Sequence, residues 1–274
     1  MKRISHVISL LLLVGGFSQL SQAEGIAAEF TAPHEKSVSK LGTAGEVVVH
    51  QIGEYQVVAV HLFAGATAMT VHELKAKGTS DMAYRKLMTK NTLVVASGSF
   101  FGFSPSGREK PIGLVRSQGK RLVSLMPWSH GGVIVSNAKG SVKVIAAENA
   151  SQAGAWSEAL QSKPIIIINN VVDVSKSLRD AEFNRVAIGV SKAGDVLIVG
   201  AFHGFGQAAT LVQFAEIYKK IADEQGVMVI RALAMDGGAG AQISIPSLKL
   251  RFGDSGVSYF PNAVRFDSVH AGKN

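Results

Sequence analysis

Apolar residues along this chain fall mostly in short β-branched runs, broken by Gly, Pro, Asn and Ser. Runs at 47–50, 55–63, 67–74 and 92–96 have the composition and length of strands. Three further pairs of runs are separated by turn residues and read as hairpins. They are 112–116 with 121–125 around Ser117-Gln118-Gly119-Lys120, 132–135 with 142–146 around Asn137-Ala138-Lys139-Gly140, and 185–190 with 195–201 around Lys192-Ala193-Gly194. Two runs, 165–172 behind Pro164 and 227–234, are apolar throughout and predict buried strands. Short strands are expected at 241–245, 248–252 and 263–266.

The helical period is rarer. Leu211, Phe214, Ala215, Tyr218, Ile221 and Ala222 repeat on one face. Thr210 with Gln213 three residues on predicts a capping box before them, and Gly226 a stop after them. Shorter helices are predicted from Ser80 or Asp81 to about residue 89, and over 152–161. There is no internal repeat. Hairpins with two or three helices predict an α+β fold on a mixed, hairpin-rich sheet, as a single domain over 46–270.

The first residues follow a different pattern. Met1-Lys2-Arg3 is positive, an apolar stretch runs from Val7 through Val14 and on to Phe17, and Ser21-Gln22-Ala23 offers small residues before Glu24. This is the pattern of a secretory signal peptide over 1–23. The apolar stretch is shorter than the roughly 20 residues a membrane span needs. No later run exceeds strand length, so no transmembrane segment is expected after cleavage. Residues 24–45, with Ala, Gly and Ser and little periodicity, read as a leader segment. The expected location is periplasmic or secreted.

Composition narrows the chemistry. The chain has no cysteine, which excludes disulfides, thiolate nucleophiles and Cys-ligated metals. The formal charge is +8; without Lys2 and Arg3 it is +6. That excess suits anionic partners such as phosphorylated glycans, teichoic-type polymers or lipid head groups. It equally suits plain solubility. No basic run interleaved with aromatics points to nucleic acid. The eight histidines form no metal-binding spacing, so neither metal nor cofactor is expected, and no Gly-x-Ser-x-Gly elbow supports a serine hydrolase.

Chemistry is expected where polar residues leave buried strands: at 97–101, at Gln161-Ser162-Lys163-Pro164 and at Asp236-Gly237-Gly238. A carboxylate ending an apolar run is costly unless paired or functional, and paired glycines let the backbone approach a ligand. The same three residues also suit an ordinary Asp-Gly turn. Arg185 offers a guanidinium for a phosphate or carboxylate, or an ion pair with Glu182 or Asp180. The His203-Gly204-Phe205-Gly206-Gln207 loop precedes the capped helix, whose first N–H groups suit a phosphate, or it is a plain connection.

Four of these segments, in order, resemble the phosphodiester glycosidase family. They are Val94 to Phe101 (VVASGSFF) with Lys110-Pro111-Ile112-Gly113-Leu114 after it; Ala159-Leu160-Gln161-Ser162-Lys163-Pro164; Arg185-Val186-Ala187-Ile188-Gly189-Val190; and Ala232-Leu233-Ala234-Met235-Asp236-Gly237-Gly238. The resemblance implies cleavage of a sugar-1-phosphodiester of N-acetylglucosamine type at its glycosidic bond. For that reaction, Asp236 is the expected carboxylate at the sugar and Arg185 the expected phosphate holder, with Glu109, in the loop before Pro111, as a second carboxylate. Ser97, Ser99, Phe101, Gln161, Gly237 and Gly238 would bind substrate, a phosphorylated glycan or sugar-phosphodiester. The sequence departs from the family pattern at Ser97, Gly102, Lys163, Ala234, Ala239 and Gly240. The alternative is therefore an envelope glycan or phosphoglycan binding protein that does not cleave.

Overall fold

A computed structural model describes residues 26–74, 80–103, 109–253 and 262–269. The signal sequence expected over 1–23 lies outside them. Period-two alternation sorts the central strands. In Tyr55–Leu62, Val57 and Ala59 pack into one apolar layer and Val58 and Val60 into another. Arg185–Ser191 does the same with Ala187 against Val186 and Ile188, and Val196–His203 with Leu197 and Val199 against Ile198. Strands apolar on both faces must be covered on both. Each fully buried aliphatic side chain contributes about 1.5–3 kcal/mol, so these strands anchor the middle layer.

Their sheet has eight strands, in the order Glu35–Lys40, Gly45–Ile52, Tyr55–Leu62, Val196–His203, Arg185–Ser191, Val229–Ala234, Ile165–Ile168 and Val171–Val172. Phe214, Tyr218 and Ile221 of the helix Leu211–Glu224 cover one face, beside Ile26 and Phe30. The Tyr218 hydroxyl donates to the Leu197 carbonyl at 2.7 Å. The predicted capping box is present, with Thr210 and Gln213 bonding reciprocally. The other face packs on two five-stranded sheets. Val115, Ile134 and Leu160 come from one, and Val94, Ala96, Ile243, Val264 and Phe266 from the other.

Every strand pairing among the described residues is antiparallel, so the expected mixed sheet is corrected. A helical crossover normally joins parallel neighbours. Here Arg185–Ser191 already occupies the place beside Val196–His203, and the strand after the helix pairs antiparallel with it instead.

Three elements also differ from expectation. The helix expected over 152–161 is a 3-10 segment, Ala147–Ala155, followed by the strand Glu158–Ser162. That strand lies between two others and is buried along its whole length, so pairing overrides helix-favouring composition. Its Glu158 carboxylate accepts the N–H groups of Val71 and Gln118, both at 2.8 Å. Burial pushes the pKa of Glu158 up, against the pull of those two bonds. The run 165–172 folds back as a hairpin, with Asn169 and Asn170 left-handed at φ 49° and 62°. Within the expected leader, Ile26–Glu29 is helical and Glu35–Lys40 is the edge strand of the large sheet. That strand is largely exposed and is held by backbone pairing, which leaves no apolar alternation to read.

Candidate functional site

Antiparallel pairing sets the C-terminal end of Val229–Ala234 beside the start of Arg185–Ser191. Met235 N–H donates to Val186 O (2.9 Å), and Gly238 N–H to Asn184 O (2.8 Å). On the other side, Ala234 N–H donates to Pro164 O (2.9 Å), and the Ser162 hydroxyl to Ala234 O (2.7 Å). Asp236, Arg185 and Lys163 are thereby gathered at one end of the sheet. With Phe100, Pro164, Phe183, Gly237 and Gly238 among others, they line a cavity of about 270 Å³.

Asp236 is 9% exposed. Burial raises its carboxyl pKa to about 7, against a hydrogen bond from the Gly237 N–H. Fully buried Tyr84 lies within reach of its charge. Desolvation first, and then Asp236, push that phenol well above its ordinary range, while Arg251 acts the other way. Nothing in the sequence pattern marked Tyr84, which sits in the helix Ser80–Leu87, far from Asp236 along the chain.

The Arg185 side chain is 16% exposed and held on three sides. Nη2 donates to Asp180 Oδ2 at 2.5 Å and to Ala181 O at 2.9 Å, and Nε to Ala209 O at 3.1 Å. The guanidinium lies over the Phe183 ring, 5.2 Å from its centroid. Burial lowers its pKa, and Asp180 opposes that shift. Nη1 faces the glycine turn, 3.9 Å from where a Cβ on Gly237 would stand. The ion-pair reading with Asp180 is thus realised, and the residue still faces the cavity.

Asp180 also accepts the Leu211 N–H, at 3.1 and 3.2 Å. This helix start reads from sequence as a phosphate site or a plain connection, and the structure places the chain's own carboxylate on its Leu211 N–H. The His203–Gln207 loop lines a second cavity instead.

The remaining candidates divide. Ser97 and Ser99 are buried beside the site without lining it. Ser97 Oγ accepts the Gln242 N–H (3.4 Å), while the Ser99 N–H donates to Asn262 Oδ1 (2.6 Å). Between them, Gly98 O accepts the Asp236 N–H (2.9 Å), so this corner positions the acid. Phe100, rather than Phe101, reaches the cavity; Phe101 lies on the short strand Phe101–Phe103. Gln161 is turned away. Its Oε1 accepts the N–H groups of Leu114 and Met126, both at 2.9 Å, and its Nε2 donates to Met126 O at 2.8 Å. Glu109 stands on Glu109–Pro111, paired with Phe101–Phe103, and its side chain lies outside the described residues. Among the described residues no group of three or more His, Asp or Glu side chains is placed to hold a metal.

Gly98 admits no side chain: a Cβ there would fall 1.7 Å from Asn262 Oδ1 and 2.7 Å from its backbone oxygen. Gly98→Ala is expected to destabilise the fold by about 1–3 kcal/mol, as overpacking does, and to displace Asp236. Urea denaturation checks the first effect.

A phosphodiester glycosidase family model matches residues 90–263, spanning the corner at Ser97, Arg185 and the Asp236 turn. The chain belongs to the phosphodiester glycosidase family. Its fold is shared with solved structures at low identity. A hypothetical protein from Synechocystis matches with a TM-score of 0.62 and 12% identity, over 87% of this chain and 64% of that one. This family member therefore spans slightly less than two thirds of that protein. The catalytic domain of zebrafish N-acetylglucosamine-1-phosphodiester alpha-N-acetylglucosaminidase, auto-inhibited by its pro-peptide, matches at 0.54 and 13%, over 87% and 84%. A Burkholderia pseudomallei K96243 protein named as exported matches at 0.52 and 11%, over 81% and 74%. No curated protein matches this chain by sequence.

Proposed function

We propose that the chain is an exported hydrolase that cleaves an N-acetylglucosamine-type sugar-1-phosphodiester between the anomeric carbon and the phosphate oxygen. The observation carrying this reading is that Asp236 and Arg185 line one cavity. In the reaction the C1–O bond breaks and its electron pair leaves on the phosphate. A water oxygen then joins C1, and its proton passes to solvent. Asp236, ionised, stabilises or attacks the electron-poor anomeric carbon. Arg185 Nη1 faces the phosphate. A phosphate departs as a stable anion, so one carboxylate with a cationic clamp supplies most of what the step requires. The signal-peptide pattern at the N-terminus supports export, and no helix among the described residues is long and apolar enough to cross a membrane.

The alternative, a phosphoglycan-binding protein without cleavage, is favoured by one observation: Gln161, Ser97 and Ser99 are engaged within the fold. Incubation with benzyl N-acetylglucosamine-1-phosphate, followed by assay of free sugar, separates the two. Release of N-acetylglucosamine is expected. Saturable binding with no release establishes the alternative.

A further inference from the structure

Across Gly238 from Asp236 lies a larger cavity of about 660 Å³. This is within the roughly 300–1,000 Å³ of small-molecule sites, whereas the Asp236 cavity alone falls below that range. Phe183 and Gly238 line both cavities. The ridge between them is low because Gly238, left-handed at φ +61°, carries no side chain.

The walls of the larger cavity combine rings with hydrogen-bonding side chains: Phe183 and Phe205 with Gln56, Asn184, His203 and Gln207. Phe205 is 84% exposed and Phe183 44%. Phe205 is nonetheless held in place. Tyr55, His203 and Phe205 form a row of rings at centroid spacings of 4.8 and 5.5 Å. His203 Nε2 lies 3.4 Å from the Glu54 carboxylate, and its backbone N–H donates to Asn184 Oδ1 at 2.8 Å. Gly206 O accepts the Asn184 N–H at 2.7 Å. The loop is thus braced from beneath and presents an uncovered ring beside side-chain amides. An aromatic face next to amide and imidazole groups matches one kind of ligand: a ring with an apolar C–H face and hydroxyls at its edge.

We infer that this cavity is the sugar subsite, taking a neutral hexopyranose over Phe205, with Gln56 and Gln207 at its hydroxyls. The inference rests on the glycosidase reading only for placing the phosphate at Arg185, across Gly238; sugar binding itself needs no cleavage.

The test measures N-acetylglucosamine binding to the full chain by calorimetry or saturation-transfer NMR. Wild type and Asp236→Asn are both expected to bind saturably. Phe205→Ala, an exposed change that leaves the core intact, is expected to raise the Kd about tenfold, the order expected for losing one stacked ring. The same variant should raise KM for benzyl N-acetylglucosamine-1-phosphate more than it lowers kcat. Absence of sugar binding, or binding unchanged by Phe205→Ala, overturns the inference. Ring-dependent sugar binding without cleavage upholds the subsite and removes the enzyme reading. Cleavage with KM unmoved by Phe205→Ala does the reverse.

Discussion

Asp236→Asn is expected to lower kcat for release of N-acetylglucosamine from its phosphodiester by roughly 10²–10³-fold, the order for losing one preorganised stabilising group at the reacting centre. The substitution keeps the shape of the side chain and removes the charge that the proposed step uses. Because burial raises this carboxyl to about 7, wild-type activity should climb as pH rises through 7 and the carboxylate forms. A profile that instead falls above pH 7 would make Asp236 a proton donor and sink the role assigned to it. Stability follows the opposite trend. Between the ordinary carboxyl value of 3.8 and about 7, the folded protein holds a proton that the unfolded chain has released. Stability therefore falls as pH rises across that window, by an amount on the order of 4 kcal/mol. Asp236→Asn removes this dependence. Urea midpoints at pH 4.5 and pH 8 should converge for the variant relative to wild type, and equal slopes for both proteins would contradict the burial argument.

Arg185→Met has the second largest expected effect, and it falls on the fold as well as the site. The substitution removes the cation paired with the Asp180 carboxylate and leaves Ala181 O without its Arg185 donor, while Ala209 O keeps the Phe183 N–H. Breaking a buried ion pair by removing one partner costs about 3–5 kcal/mol. With these side chains 16% and 24% exposed, about 2–3 kcal/mol is expected. That corresponds to a fall in Tm of roughly 4–12 °C for a domain of this size. Asp180→Asn in the same background should add little, because the charge it removes is already unpaired. Additive losses in the double variant would show that the pair is not coupled.

The strands were legible where burial is one-sided or complete, because apolar alternation and runs such as 227–234 report packing directly. The capped helix was legible for the same reason, with its cap residues written locally. Glu35–Lys40 was not, since an exposed edge strand needs only backbone partners. Glu158–Ser162 was masked by helix-favouring residues whose conformation is decided by neighbouring strands. At the site, Asp236 and Arg185 could be picked out because charge at the end of an apolar strand is costly. The placement of Gln161 could not be read, because an amide that fastens a distant loop has the same sequence signal as one that faces a ligand. Tyr84 and Asn262 reach the site only through folding, across long chain separations.

Asp180 at the start of Leu211–Glu224 has a consequence for anion binding. The Leu211 N–H, a helix-end donor that an incoming anion would meet, is already taken by the chain's own carboxylate. On the proposed reaction, a phosphomonoester freed at Arg185 would find that donor already occupied. Under the proposed hydrolysis, the chain therefore holds at that helix end a built-in competitor of the released anion, and Arg185 is the cation left facing the cavity.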